Sequence, residues 1–192
     1  MRKFAKIISR VFDSYFWFPL LLLTAIAKTG LWQNQIIILL PLLALIDVIC
    51  PIVGFKFLMK TGKVSDIDVT NRHERYLLFG LANVLFLIGT IISFLFSNQL
   101  FFTLHLTALL MGLTLLGITF FFKISGHVFM AFGSLFLINF LYDWRFLWFF
   151  LLTLPIAYAR IYLKKHTLAQ VLTGAIVGLA EPYLILKLFK LI

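Results

Sequence analysis

The chain has 192 residues, of which 62% are hydrophobic and 12% charged. A soluble domain carries about 45–50% apolar and about 25% charged residues, so a water-soluble globule is excluded, and this hydrophobicity also excludes disorder. Lys and Arg number 17 against 7 Asp and Glu, a net charge of +10. In a soluble protein that excess suggests nucleic acid; in a membrane protein it reports loop topology or an anionic ligand.

Residues 1–14 read as an amphipathic segment lying on the bilayer surface. Arg2, Lys3, Lys6 and Arg10 interleave with Ile7, Ile8, Val11 and Phe12, a spacing unlike the continuous apolar core of a cleaved signal peptide. Seven candidate spans follow, at 15–30, 35–58, 76–96, 100–122, 126–142, 145–160 and 167–190, measured against the roughly 20 apolar residues that cross a bilayer. The first, fifth and sixth are short, and the tight Tyr142-Asp143-Trp144-Arg145 turn joins the last two of these. They read as tilted helices or as one re-entrant pair, so the expected count is six or seven. The runs are continuous and lack the alternation of a membrane barrel. The expected fold is all-α: a multi-pass transmembrane bundle forming one integral membrane domain over 1–192, with one long polar loop at 60–75. The lone Cys50 excludes an internal disulfide.

With seven spans, the N-terminus, the loop from Lys56 to Arg75, Lys123, and 160–165 fall on one side. That side carries 13 of the 17 basic residues, and Lys28, Arg145, Lys187 and Lys190 are left on the other. The positive-inside rule places the polar loop in the cytoplasm.

Three polar segments share that side. The first runs from Lys63 through Asp66, Asp68 and Arg72 to Arg75, the second is Lys123-Ile124-Ser125-Gly126-His127, and the third runs from Arg160 through His166 to Gln170. Two spans separate each from the next, which returns the chain to the same face. The residue types suit phosphate chemistry. Arg grips an oxyanion with a planar fork, and Ser125 and Gly126 offer a hydroxyl and backbone N–H groups where a helix begins. One His can attack phosphorus while another protonates the departing oxygen. His166 and Gln170, four apart, share a helix face, so the Gln carbonyl can hold one ring nitrogen.

Ser125-Gly126-His127 followed by Arg160-x5-His166 resembles the second and third signature motifs of the type-2 phosphatidic acid phosphatase superfamily. The resemblance covers about 60–180. It implies His166 as the nucleophile that becomes phosphohistidine, His127 as general acid, and Arg160, Ser125 and Gly126 as phosphate ligands, with no metal required. The first motif is matched poorly. Arg75 is the best candidate for its Arg, with Tyr76 in place of Pro and Asp68 where the family has Lys. Lys123 or Lys63 would supply the missing cation, with Arg72 nearby. Gln170 replaces the Asp that polarises the nucleophile, which implies slower chemistry or a better leaving group. Asp66-x-Asp68 is a spacing that would recruit Mg²⁺ to a diphosphate; otherwise no cofactor is expected.

The expected activity is hydrolysis of a lipid phosphate or diphosphate, of polyprenyl or phosphatidate type, with the bilayer as the setting and no nucleic acid. The rivals are a lipid phosphotransferase and a non-catalytic lipid-binding scaffold on the same fold. Asp47 and Glu181 sit inside spans, where a charge requires a partner or a cavity. His105 reads as a buried structural residue. Gly174 and Gly178, four apart, read as a close helix-packing face.

Overall fold

The computed structural model describes residues 1–29 and 36–192, and among these every regular element is helical. The helices are α1 (Arg2–Val11), α2 (Ser14–Thr29), α3 (Ile36–Leu43), α4 (Cys50–Lys60), α5 (Glu74–Phe96), α6 (Gln99–Phe121), α7 (Gly126–Leu141), α8 (Thr153–Tyr162) and α9 (Leu168–Leu188). A π-helical turn, Ala44–Ile49, fuses α3 to α4, and a 3₁₀ segment, Leu147–Leu152, leads into α8. The span ends expected at 30 and 35 lie outside the described residues.

Among the described residues four helices are long and apolar enough to cross a membrane: Ile37–Lys60, Glu74–Phe96, Gln99–Phe121 and Leu168–Leu188. α1 and α2, bent by 41°, make a fifth if counted as one broken span. α7 and the 147–162 stretch are apolar but shorter. Among the described residues the apolar stretches of the sequence are mainly helical, and four of them reach spanning length outright.

The chain divides into two compact units, Met1–Lys28 with Phe122–Ile192, and Thr29–Phe121. In the first, Trp17, Val128, Ala131, Leu135, Ile156 and Val171 form a buried core contributed by α2, α7, α8 and α9. α7 and α9 approach most closely. A Cβ on Gly178 would lie 2.5 Å from the carbonyl oxygen of Phe129, and one on Gly174 would lie 2.9 Å from that of Ser125. Backbone cannot yield as a side chain can, so these glycines set the helix separation. At the far end of α7, Asn139 clasps the Tyr142–Arg145 turn, donating to the Phe146 carbonyl and accepting from its N–H at 3.0 Å. Asp143 and Trp144 there both have positive φ.

In the second unit, Pro51 has no N–H to donate to the carbonyl of Asp47, and its ring crowds that carbonyl. The preceding turn widens accordingly, with the Cys50 N–H reaching Leu45 O in the π pattern. Asp47, carried by this turn, pairs with His105 of α6, with Oδ2 3.3 Å from Nε2 and side chains 0% and 2% exposed. Asp47 thus has the partner that a buried charge in an apolar helix demands. Gly89 of α5 abuts the same carboxylate so closely that any side chain would strike it.

The polar loop is organised by two carboxylates. Asp66 accepts from the backbone N–H of Asp68 and Thr70 and from the Thr70 hydroxyl. Glu74 accepts from the Ser65 N–H and hydroxyl and from the Asn71 amide. Arg75, buried, donates through Nε to Val69 O at 2.9 Å, fixing a residue with φ 45°. Arg72 donates to Phe121 O at the end of α6.

Candidate functional site

The Arg160-x5-His166 spacing has a local cause. α8 ends in a Schellman reversal, in which Lys164 adopts φ 56°, its N–H donates to Ile161 O, and the Lys165 N–H donates to Arg160 O at 3.0 Å. The His166 N–H also reaches Arg160 O, at 3.2 Å. The carbonyl of Arg160 therefore anchors the backbone of His166, and six residues is the length of this reversal.

α9 then begins with a capping box on Thr167. Its hydroxyl accepts from the Gln170 N–H at 3.3 Å, and the Gln170 side-chain oxygen accepts from the Thr167 N–H at 3.2 Å. The same oxygen lies 3.0 Å from His166 Nδ1. The Thr167 N–H can only donate, so the atom it meets must be the amide oxygen. Nδ1 must then carry a hydrogen, and the neutral ring has its lone pair on Nε2.

Ser125 is the N-cap residue of α7, and its side chain makes no capping bond. Its backbone N–H donates to Gln170 O at 3.1 Å, which joins the start of α7 to the first turn of α9. The Ser125 hydroxyl is fully buried and has no hydrogen-bond partner among the described residues. It stands at a helix N-terminus, where backbone N–H groups and the helix dipole favour negative charge.

His127, the second residue of α7 and buried, points its Nε2 at two acceptors: Ser9 O at 3.0 Å and Asp13 Oδ1 at 3.3 Å. Two acceptors on one nitrogen require a hydrogen there. Arg160, 1% exposed, donates from its guanidinium to the Ser9 hydroxyl. The contacts close into a ring that runs from His127 to Ser9, Arg160, His166, Gln170 and Ser125, then back to His127 through Gly126.

The structure thus brings together Ser125, Gly126, His127, Arg160, His166 and Gln170. Lys123, half-buried, lies in the same unit two residues before Ser125. Arg75, Arg72, Lys63, Asp66 and Asp68 belong to the other unit, where Asp66 and Arg75 shape the loop. No group of three or more His, Cys, Asp or Glu with metal-binding geometry occurs among the described residues.

Ser9 and Asp13 were not singled out by sequence. Their signal is a small-residue spacing: Ala5 and Ser9, four apart, are the buried residues of an otherwise exposed α1, and this face packs on α8. In a segment read for its basic and bulky residues, the small ones mark the docked side. No protein family, curated protein or solved structure matches this chain.

Proposed function

We propose that the chain is a multi-pass α-helical membrane phosphatase of the type-2 phosphatidic acid phosphatase kind, built from six or seven apolar segments and acting on a lipid phosphate or diphosphate. The observation that carries this reading is the complementary hydrogen bonding of its two histidines. The amide oxygen against His166 Nδ1 leaves the neutral ring its lone pair on Nε2, and the two acceptors facing His127 Nε2 call for a hydrogen there. An attacking base and a proton donor must be arranged in this way.

In the proposed reaction, His166 Nε2 attacks phosphorus and the bond to the leaving oxygen breaks. That oxygen takes the proton from His127 Nε2. Arg160, the Ser125 hydroxyl and the first N–H groups of α7 hold the phosphoryl oxygens as charge develops. Water then attacks the phosphohistidine, with His127 taking back a proton, and inorganic phosphate leaves. Lys123, two residues before Ser125 in the same unit, is assigned the place of the missing cation. A lipid tail remains in the bilayer while its headgroup enters from the surface. The basic excess around the motifs assigns this face to the cytoplasm.

The test is phosphate release from a panel of polyprenyl phosphates, polyprenyl diphosphates and phosphatidate by purified protein, with His166→Ala as control. Release that depends on His166 is expected. No release from any substrate, with His166→Ala indistinguishable, would favour a lipid-binding scaffold, and transfer to an added alcohol in place of water would favour a phosphotransferase. Labelling of Ser65→Cys in a Cys50→Ser background checks orientation, and reaction with an impermeant reagent outside intact cells would overturn the cytoplasmic assignment.

A further inference from the structure

Resting on that phosphatase reading, we propose that Ser9 is an internal substitute for the phosphate ester, and that α1 holds the site closed until substrate displaces it. One residue places two oxygens on the two groups that a phosphate ester must engage. The Ser9 hydroxyl oxygen accepts from Arg160, where a phosphoryl oxygen would sit. The Ser9 carbonyl oxygen accepts from His127 Nε2, where the leaving oxygen would sit, and Asp13 shares that hydrogen. A ring N–H already engaged by two acceptors is not available to a third, so the general acid is blocked while α1 is docked.

The helix is built to move. Its fully buried residues are Ala5 and Ser9, while Ile8 and the C-cap Phe12 are partly buried against the core, and Phe4, Ile7 and Val11 remain exposed together with Arg2, Lys3, Lys6 and Arg10. A segment that buries few apolar groups opens at low free-energy cost. The competing contact is stronger for the ligand than for the plug. Phosphate offers Arg160 charged oxygens that two guanidinium N–H groups can grip at once, whereas Ser9 offers one neutral hydroxyl oxygen, so the ion pair is the stronger contact.

The probe is inorganic phosphate, titrated into the full-length protein in nanodiscs. Ser9→Ala removes one competitor for Arg160 and should tighten phosphate binding by about tenfold, equivalent to about 1.4 kcal/mol. Ser9→Asp supplies a built-in anion and should abolish binding. Arg160→Ala should erase the gain given by Ser9→Ala. In the unmodified protein, the backbone amides of Arg2–Val11 should lose hydrogen-exchange protection as phosphate saturates. Unchanged or weaker binding in Ser9→Ala, or α1 protection unaltered at saturation, would overturn the plug while leaving the phosphate site standing. Failure of the wild type and Ser9→Ala alike to bind phosphate would overturn both.

Discussion

Gln170→Ala removes an oxygen that serves two N–H donors at once, and the two losses read out separately. The Thr167 N–H is at an exposed position where water replaces the lost acceptor, so dismantling the capping box costs about 1 kcal/mol or less. His166 is 6% exposed, and its Nδ1–H loses its acceptor away from bulk water, which costs about 1–3 kcal/mol. The total is about 2 kcal/mol, a fall of about 4–8 °C in melting midpoint for a chain of this size. The ring also loses the contact that fixes its tautomer and direction, and a misplaced nucleophile costs about a hundredfold in rate. Gln170→Glu keeps an acceptor of the same length, so the cap survives. Its charge would stabilise positive charge developing on the ring, and turnover should equal or exceed wild type. The assays are thermal unfolding and phosphate release on all three proteins, with ¹⁵N spectra of the His166 ring reporting the tautomer. A Gln170→Ala protein that melts lower yet releases phosphate at the wild-type rate would refute the orienting role and leave only the cap.

Gly178→Ala should lower stability by about 1 kcal/mol, because overpacking against the Phe129 main chain at about 1–3 kcal/mol outweighs the roughly 1 kcal/mol gain in helix propensity; a higher melting midpoint than wild type would contradict the packing. Lys164→Gly should raise stability by about 1 kcal/mol, since the left-handed backbone there suits glycine, and an unchanged or lower midpoint would argue against the Schellman reversal. Asp47→Leu should cost about 3–5 kcal/mol by leaving His105 buried without its carboxylate, whereas Asp47→Leu combined with His105→Leu should recover most of that loss. A double variant as unstable as the single one would show that the two residues do not act as a pair.

The helices were legible in the sequence because continuous apolar runs admit little else in a bilayer. The relation of His166 to Gln170 was legible for a similar reason, since helix geometry alone brings positions four apart together. Other features depended on contacts that no local pattern encodes. Asp47 was visible as a charge in need of a partner, but its match with His105 rests on a π turn induced by Pro51 and on space left by Gly89. Ser9 and Asp13 reach His127 across more than a hundred residues of chain, and nothing at positions 1–14 signals that meeting except two small residues on one face. Arg75 illustrates a different limit. Its place at the end of the polar loop pointed to a phosphate, whereas its Nε bond is made to that loop's own backbone.

The division of the chain carries a consequence for biosynthesis. The candidate site belongs to a unit assembled from the first 28 residues and the last third of the chain, with Thr29–Phe121 enclosed between them. The enclosed unit can complete its packing from neighbouring sequence as it emerges. The outer one must wait until α7, α8 and α9 have been synthesised, at about 5–20 residues per second. During that interval Trp17 lacks Val128, Ala131, Leu135, Ile156 and Val171, the core partners that α7, α8 and α9 supply. A released chain that ends at Phe121 should therefore display a protected middle and a protease-sensitive N-terminal helix.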